Sequence, residues 1–207
     1  MAVPFLARAC DRTDQGTHGM PPVRVADRAI PLASASGRRL ADLMTDLRTP
    51  RLVLHPVDVA EGERITARRV GDDDLWAADL PTEGDIMSVT AYLRRTADHG
   101  EQRPFDFYRI TRASDGQAIG GIGFKGKPEH GSVEIGYGLT PSARGNGYAA
   151  EAAAALLTVA TSHGLDRVVA DTDRANFASQ RTLERAGFTH QRNEADVYSY
   201  EAILGNN

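Results

Sequence analysis

The stretch "PSARGNGYAAEAAAALL", residues 141–157, places two glycines in a short polar turn and then continues directly into an alanine-rich helical segment. A glycine-rich turn that opens a helix leaves several backbone N–H groups without intrahelical acceptors, at the positive end of the helix dipole. Such a helix start attracts anions, and phosphate groups in particular. The stretch therefore predicts a binding site for a phosphate-containing ligand.

The composition of the 207-residue chain predicts a single soluble domain that acts on a small partner. Hydrophobic residues make up 41% and charged residues 25%, and the net charge of -4 argues against a nucleic-acid partner bound by bulk electrostatics. The six histidines and the one cysteine, Cys10, lack the spacing of a zinc site, so we expect no metal. No apolar run approaches the ~20 residues that span a bilayer, and we expect a cytoplasmic protein without membrane association.

The beginning of the chain lacks the pattern of a folded domain. Residues 1–45 are rich in Ala, Arg, Asp, Ser, Gly and Pro with scattered apolar positions, which predicts a disordered or loosely ordered tail. The folded domain is predicted over residues 46–207. A strand is expected at its start, over 50–57, and helical spacing of apolar residues predicts helices at 59–70 and 86–98.

The second half of the chain predicts an α/β (α+β) fold with a mixed, largely antiparallel central sheet flanked by helices. Three strands separated by turn-like segments favour an antiparallel meander, and strands and helices alternate after it. Asn176 is expected to cap the last helix, and glycines end both helices. The meander strands are predicted at 104–113, 117–126 and 131–140, the helices at 147–163 and 176–188, and the later strands at 167–173 and 197–204.

Two segments match the glycine fingerprint of dinucleotide-binding folds, and they differ in the residues that come after them. "GIGFKG", residues 121–126, is followed by a Lys-Pro pair that cannot open a helix, and is interpreted as a strand whose glycines permit a bulge or close packing. "GNGYAA", residues 145–150, does enter a helix, with Asp171 at the end of the next strand as a candidate ribose ligand. A doubly wound fold is nevertheless disfavoured, because residues 140–144 separate the strand from the first glycine and few residues remain for further parallel strands.

The segments "EIGYGLTPSARGNGYAAEA", residues 134–152, and "DTDRANFASQRTLERAGF", residues 171–188, together resemble the core of the GNAT acetyltransferase superfamily. They are similar in detail to its ribosomal-protein (N-terminal alanine) N-acetyltransferase branch. The acyl-CoA loop of that family reads Gln or Arg, two residues, Gly, one residue, then Gly or Ala, and residues 144–149 match this pattern. The resemblance implies the GNAT acyl-CoA N-acyltransferase fold from about Thr49 to the C-terminus.

The resemblance also implies that acetyl-CoA is the cosubstrate and that the glycine turn holds its pyrophosphate. A side chain at Gly147 would obstruct the approach of phosphate to the amides. The family splays two strands apart so that the pantetheine arm lies between them; backbone groups of one strand then pair with the arm, and an asparagine on the next helix reaches it. The residues implied in cofactor binding are Tyr137, Leu139, Arg144, Gly145, Asn146, Gly147, Tyr148, Ala149 and Asn176.

Acyl transfer from a thioester to an amine needs a neutral nucleophile, a stabilised oxyanion and a proton for the departing thiolate. Glu134 occupies the strand position at which related enzymes often place a base acting through water; the alternative is a solvent-facing strand carboxylate. Many GNAT enzymes place a tyrosine acid where this chain has Leu183. Ser179 matches the serine of the ribosomal-protein branch and is predicted to be the acid near the sulfur, with a helix serine bonded to a nearby carbonyl as the alternative.

The acceptor side is less defined in the sequence. Trp76, the only tryptophan, is predicted to line the acceptor pocket, with closure of the core as the alternative. Asp72 to Asp74 are interpreted as a solvated acidic loop, with attraction of a cationic amine as the alternative. The resemblance implies an N-acetyltransferase that transfers an acetyl group to a primary amine of a protein N-terminus or small molecule, by direct attack on the thioester. A monomer or homodimer is expected. A non-catalytic acyl-CoA-binding module of the same fold is the alternative.

Overall fold

The computed structural model describes residues 46–69, 71, 74–194 and 196–205, so the predicted tail over residues 1–45 lies outside the described residues. The described residues form eight strands, four α-helices and one 3-10 turn, Pro141–Ala143. The strands are β1 (Leu47–Arg48), β2 (Leu52–Pro56), β3 (Phe107–Arg112), β4 (Ala118–Phe124), β5 (Ser132–Leu139), β6 (Arg167–Asp173), β7 (Thr189–Glu194) and β8 (Val197–Ile203). The helices are α1 (Val59–Thr66), α2 (Glu83–His99), α3 (Tyr148–Ser162) and α4 (Phe177–Arg185).

The strands form one sheet in the order β1-β2-β3-β4-β5-β6-β8-β7. Every neighbouring pair is antiparallel except β5 and β6, which are parallel and are connected through α3. The predicted mixed, largely antiparallel sheet is therefore confirmed. These strand directions exclude the doubly wound alternative, since that fold requires a mostly parallel sheet.

The two faces of the sheet are covered by different helix pairs. Residues of α3 and α4, including Leu156 and Leu183, pack with Leu54, Ile110 and Ile135 of the strands in the main hydrophobic core. On the opposite face, residues of α1 and α2 form a smaller core with Phe107 of β3 and with Val57, which lies between β2 and α1; the helix residues are Ile65, Val89 and Tyr92. The sheet thus separates an α1/α2 face from an α3/α4 face.

Two of the three glycines of "GIGFKG", Gly121 and Gly123, lie in β4, as the close-packing interpretation predicts, and Gly126 follows the strand. A Cβ atom built on Gly121 would lie 2.2 Å from Cζ of Phe107, and one built on Gly123 would lie 2.9 Å from the carbonyl oxygen of Asp106. A side chain at either glycine would collide with β3 or the residue before it. These glycines are therefore required by packing, and the segment opens no helix.

Two helices of the first half have bounds that differ from the prediction. Helix α2 begins at Glu83 rather than residue 86, because Thr82 and Asp85 form a capping box in which each side chain accepts the backbone N–H of the other. Helix α1 ends at Thr66 rather than residue 70, and Arg68 just beyond it has a φ of 54°. A non-glycine residue in that conformation cannot continue a right-handed helix.

Strand β7 is absent from the sequence-based expectation. Its sequence, "THQRNE", is polar and lacks the alternation of a half-buried strand. It pairs with β8 alone, at the edge of the sheet, where a strand needs little apolar surface. Backbone pairing with β8 and not side-chain burial accounts for this strand.

Candidate active site

Strands β5 and β6 diverge in the middle of the sheet. Within the described residues they pair through Ser132–Glu134 and Arg167–Val169, and the pairing stops there. Beyond that point β5 remains paired with β4 as far as Leu139, whereas β6 remains paired with β8 as far as Asp173. An opening therefore lies between the carboxyl-terminal halves of two parallel strands, with one backbone edge of each strand turned toward it.

The side chains of Tyr137 and Ser179 meet across this opening. The Tyr137 hydroxyl lies 2.8 Å from Oγ of Ser179 and 3.2 Å from the Ser179 carbonyl oxygen, to which it can donate. Burial raises the pKa of Tyr137 to about 12, against a smaller opposing effect of the hydrogen bond with Ser179. The phenol therefore stays protonated at neutral pH. Sequence reasoning selected Tyr137 for its backbone and missed its side chain, because strand spacing alone does not show which helix a strand residue faces.

Helix α4 presents the other predicted residues of this segment in two different ways. Oδ1 of Asn176 accepts the backbone N–H of Ser179 at 3.1 Å, so Asn176 caps the helix as expected, and its Nδ2 group takes no part in that cap. Leu183 is fully buried in the main core. The position where many GNAT enzymes carry a tyrosine acid therefore points into the core, whereas Tyr137 and Ser179 each place a hydroxyl group near the opening.

The predicted acyl-CoA loop connects the end of β5 to α3. Gly145 and Gly147 have φ angles of 81° and 78°, in the left-handed region that glycine adopts without strain. Gly147 is the N-cap of α3 and provides no side-chain acceptor for the first amides of the helix. No heavy atom lies within 4 Å of a Cβ built on Gly145, and the Gly147 position meets only Nη2 of Arg51, at 3.6 Å. Uncapped amides at an accessible helix start fit a diphosphate.

Arg144, at the start of this loop, folds back onto the strand. Its Nε donates to the carbonyl oxygen of Leu139 at 3.0 Å, and its side chain is exposed. Tyr148 and Ala149 form the first turn of α3, with Ala149 buried. The structure therefore brings the loop residues predicted for cofactor binding together at the carboxyl end of β5, next to the opening.

Glu134 is the last β5 residue that pairs with β6, so it lies at the point where the strands diverge. Side chains alternate along a strand, which puts Glu134 on the same face as Gly138 and on the opposite face from Tyr137. A Cβ on Gly138 would lie 3.9 Å from Oδ1 of Asp85 in α2, so this is the α1/α2 face. Glu134 is partly exposed and forms an ion pair with Lys125.

Two further acidic residues occupy the α1/α2 face in ways the sequence did not indicate. Asp85 is buried, and burial raises its pKa although Thr82 donates two hydrogen bonds to it. The Asp74 side chain is 12% exposed and lies 3.6 Å from both Arg64 and Arg109, so the prediction of a solvated acidic loop is wrong at this position. Asp72 and Asp73 lie outside the described residues.

Trp76 lies on the α1/α2 side and lines a small cavity there. It bridges to Ala118 at the start of β4 and packs against the smaller core, and its Nε1 is buried without a hydrogen-bond partner among the described residues. Asp85, Arg109 and Gly120 also line this cavity. Both the pocket and the core interpretation of Trp76 therefore draw on contacts that it makes.

Neither a metal-binding cluster nor a membrane-spanning helix is found in the part of the chain that the structure describes. No group of three or more His, Cys, Asp or Glu side chains is arranged there to hold a metal ion. No helix in that part is long and apolar enough to cross a membrane.

An opened parallel strand pair with a glycine-rich helix start at its carboxyl end is the arrangement that the resemblance to the acyl-CoA-dependent acetyltransferases implies. Comparison with known proteins agrees: the model of the acetyltransferase (GNAT) domain matches residues 51–189, and the chain belongs to the GNAT acetyltransferase family. It is an acyl-CoA-dependent N-acetyltransferase, as the sequence predicts.

Individual relatives support this family assignment. An uncharacterized N-acetyltransferase of Bacillus subtilis, YjdG, is 37% identical over 161 residues, which are 74% of this chain and 95% of the relative. The solved acetyltransferase of Agrobacterium tumefaciens is 26% identical with a TM-score of 0.54, over 76% of this chain and 94% of that chain. RimL, a ribosomal L7/L12 alpha-N-protein acetyltransferase solved with coenzyme A, has a TM-score of 0.58 over 79% of this chain and 100% of its own. Its 19% identity shows a shared fold alone.

Proposed function

We propose that this enzyme transfers an acetyl group from acetyl-CoA to a primary amine, of a protein N-terminus or of a small molecule, by direct attack of the amine on the thioester. The observation that carries the proposal is the opening between β5 and β6, which has the glycine-rich start of α3 at one end and the Tyr137–Ser179 pair across it. Each part of this arrangement matches one part of the reaction.

The donor would lie along the opening. The backbone groups of Tyr137 and the N–H of Leu139 lie on β5 beyond its pairing with β6, so they can bind the amide groups of the pantetheine arm, whereas the Leu139 carbonyl oxygen already accepts from Nε of Arg144. Nδ2 of Asn176 can donate to the same arm from the start of α4. The amides from Gly145 to Ala149 would then bind the diphosphate at the positive end of α3.

The two proposed catalytic residues lie on opposite faces of the sheet, on either side of the opening. Glu134 faces the α1/α2 side, and Ser179 belongs to the α3/α4 side. An amine that approaches from the α1/α2 side would lose its proton to Glu134 through a water molecule as the new C–N bond forms. The C–S bond then breaks toward the opposite face, where the thiolate takes a proton from Oγ of Ser179; the serine oxygen recovers a proton from solvent, and Glu134 returns the proton it accepted to solvent, so that both residues are restored.

Tyr137 supports this assignment of the acid. Its hydroxyl lies 2.8 Å from Ser179 Oγ and can donate to it, which stabilises the negative charge that develops on that oxygen as its proton leaves. With a pKa raised to about 12, chiefly by burial, the phenol keeps the proton it donates throughout the neutral range. Ser179 therefore acts as part of a hydroxyl pair.

The chemistry favours acceptors with a weakly basic amine. An α-amine with a pKa of about 7.7 is roughly one-sixth neutral at pH 7, whereas a lysine amine with a pKa of about 10.4 is neutral in about one molecule in 2,500. A base that acts through water can use the first population far more readily. We therefore expect α-amines and small molecules with low-pKa amines to be the better substrates.

The test is the rate of the chemical step in two single variants. Ser179→Ala is expected to lower this rate by ~10²-fold with nearly unchanged affinity for CoA, because a general acid contributes about that much. Glu134→Gln is expected to shift or abolish the acidic limb of the pH–rate profile, while Ser179→Ala leaves that limb in place. Pre-steady-state thiol release measures both.

Matched controls separate catalysis from folding. Ser162→Ala removes another helix serine, whose Oγ donates to the Val159 carbonyl at 2.8 Å in α3, and Glu129→Gln removes an exposed carboxylate just before β5. Both controls should retain the wild-type rate and pH profile. Near-wild-type turnover by Ser179→Ala would remove serine from the mechanism and leave positioning by backbone amides as the main source of catalysis.

A further inference from the structure

Glu151, in the first turn of α3, is held by two residues from the segment that precedes β2. Oε1 of Glu151 accepts from Oγ1 of Thr49 at 2.6 Å and from the backbone N–H of Arg51 at 2.9 Å. Oε2 accepts from Nε of Arg51 at 2.6 Å. The Glu151 side chain is 16% exposed and that of Arg51 is 49% exposed. Both carboxylate oxygens are therefore bound by the protein, close to the proposed diphosphate site.

The position of Glu151 has opposite effects on the helix and on an anionic ligand. A carboxylate in the first turn stabilises the helix, because it interacts favourably with the positive end of the helix dipole. The same turn supplies the amides proposed to bind a diphosphate, and an unpaired negative charge there would repel that ligand. The Arg51 guanidinium cancels this charge through the ion pair with Glu151. The helix thus keeps its acidic residue without a net negative charge at its start.

Arg51 also fixes the orientation of the loop. Its Nη1 donates to the carbonyl oxygen of Asn146 at 2.9 Å, while Nδ2 of Asn146 donates to the carbonyl oxygens of Ala143 and Arg144, both at 3.1 Å. Three loop carbonyl oxygens are therefore bound by side-chain donors. With their negative ends held in this way, the carbonyl groups do not compete with the N–H groups for the ligand-facing side.

The third nitrogen of the guanidinium group lies beside the helix start. Nη2 of Arg51 would be 3.6 Å from a Cβ built on Gly147, and the guanidinium carbon lies 4.8 Å from the centre of the Tyr148 ring. The ring restricts where the cation can move. A positive charge is therefore held next to the N-cap of α3.

We propose that Arg51 is a positioning residue of the donor site: it neutralises Glu151 and fixes the Asn146 carbonyl, so that the loop is set to bind the diphosphate of CoA. This inference rests on the proposed function, because it takes an acyl-CoA as the ligand. It adds a residue from the segment before β2, far from the glycine motif in sequence, to the donor site. Glu151 enters as the charge that Arg51 must cancel.

The test compares CoA binding by calorimetry in the full chain and in four variants. Arg51→Ala leaves the Glu151 charge unpaired, and we expect it to raise the Kd for CoA ~10-fold or more. Arg51→Ala with Glu151→Gln removes that charge as well and should recover much of the loss. Arg51→Lys, which keeps a cation without the planar group, should fall between wild type and Arg51→Ala. Thr49→Val is the matched control, because it removes a hydrogen bond to Glu151 without changing any charge.

A second readout separates positioning from general destabilisation. S-acetylpantetheine carries the same thioester and lacks the diphosphate. We expect Arg51→Ala to lower kcat/KM for acetyl-CoA by the factor seen in calorimetry and to leave kcat/KM for S-acetylpantetheine within about twofold. If Arg51→Ala does not fold, the same comparison is made with Arg51→Lys: its loss of kcat/KM for acetyl-CoA should exceed its loss of kcat/KM for S-acetylpantetheine.

Three results would overturn the inference. They are an unchanged Kd for CoA in Arg51→Ala, an equal loss with both donors, and a double variant that binds no better than Arg51→Ala. Failure of the proposed function gives a different result, because the wild-type protein itself would then not bind CoA or would not release thiol with any amine.

Discussion

Gly147 is the residue on which the proposed donor site depends most. It combines a left-handed φ of 78° with the N-cap position of α3, so the backbone can approach a ligand where another residue would place a Cβ. The two requirements, conformation and space, both select glycine.

We expect Gly147→Val to raise the Kd for acetyl-CoA at least about tenfold. A β-branched residue in the left-handed region costs of order 1–3 kcal/mol, and its side chain would lie where phosphate meets the amides. Calorimetric titration measures the effect. Gly164→Val is the matched control: Gly164 has a φ of 72°, no heavy atom lies within 4 Å of its Cβ position, and it follows the opposite end of α3. A similar loss of affinity in both variants would attribute the effect to helix strain.

Single residues also show what the sequence could and could not predict. Gly145 and Gly147 were selected because they belong to a local pattern whose physical purpose can be stated from the sequence, whereas Ser179 was selected through the resemblance to the ribosomal-protein branch. The side chain of Tyr137 and that of Arg51 were missed, because their contacts are to segments distant in the chain. Such pairs depend on the strand register and helix docking, which no local spacing specifies.

At the scale of elements, the hydrogen bonds from Thr49 and Arg51 to Glu151 connect the segment before β2 to the first turn of α3. They therefore join the start of the domain to the helix that follows the donor loop. Burial acts to raise the pKa of Glu151, but the hydrogen bonds from Thr49 and Arg51 outweigh it and the pKa is lowered from the usual 4.5. A carboxyl group whose pKa is lowered in the folded state stabilises that state above its unfolded pKa. The contribution is lost as pH falls through the folded pKa.

This linkage predicts a specific pH dependence of stability. The free energy of unfolding of the wild-type protein should exceed that of Glu151→Gln at pH 7, and the difference should shrink as the pH falls below 4.5 and through the lowered pKa of Glu151 in the folded state. Urea denaturation at a series of pH values measures the difference. A difference in the free energy of unfolding that stays constant as the pH is lowered would show that the charge of Glu151 does not stabilise the folded state.

The elements themselves were predictable to different degrees. Helix α3 lies between two glycines, and strands β4 and β5 lie between turn segments, so the sequence marks the ends of all three. Each was predicted close to its observed bounds. Strand β7 was missed because an edge strand needs backbone partners more than apolar side chains. The start of α2 was placed late because the prediction began the helix at its first apolar residue, Ile86, and did not include the capping box of Thr82 and Asp85.

At the scale of the whole molecule, the opening arises from the sheet topology. One parallel pair stands between two antiparallel groups of strands, and it separates where β5 stays with β4 and β6 stays with β8. The sequence predicted a mixed sheet from its elements, and the opening itself only through resemblance to the family. Strand register and divergence depend on pairing between distant segments, so composition and periodicity do not determine them.

The most direct test of the proposed activity is amine-dependent release of free thiol from acetyl-CoA by the full chain, measured with amino acids, polyamines, aminoglycosides and N-terminal peptides. We predict thiol release well above the rate without amine for at least one class of acceptor, with α-amines and other low-pKa amines preferred at pH 7. Tight binding of CoA without thiol release for any amine would contradict acetyl transfer to amines and would indicate a binding module of the same fold.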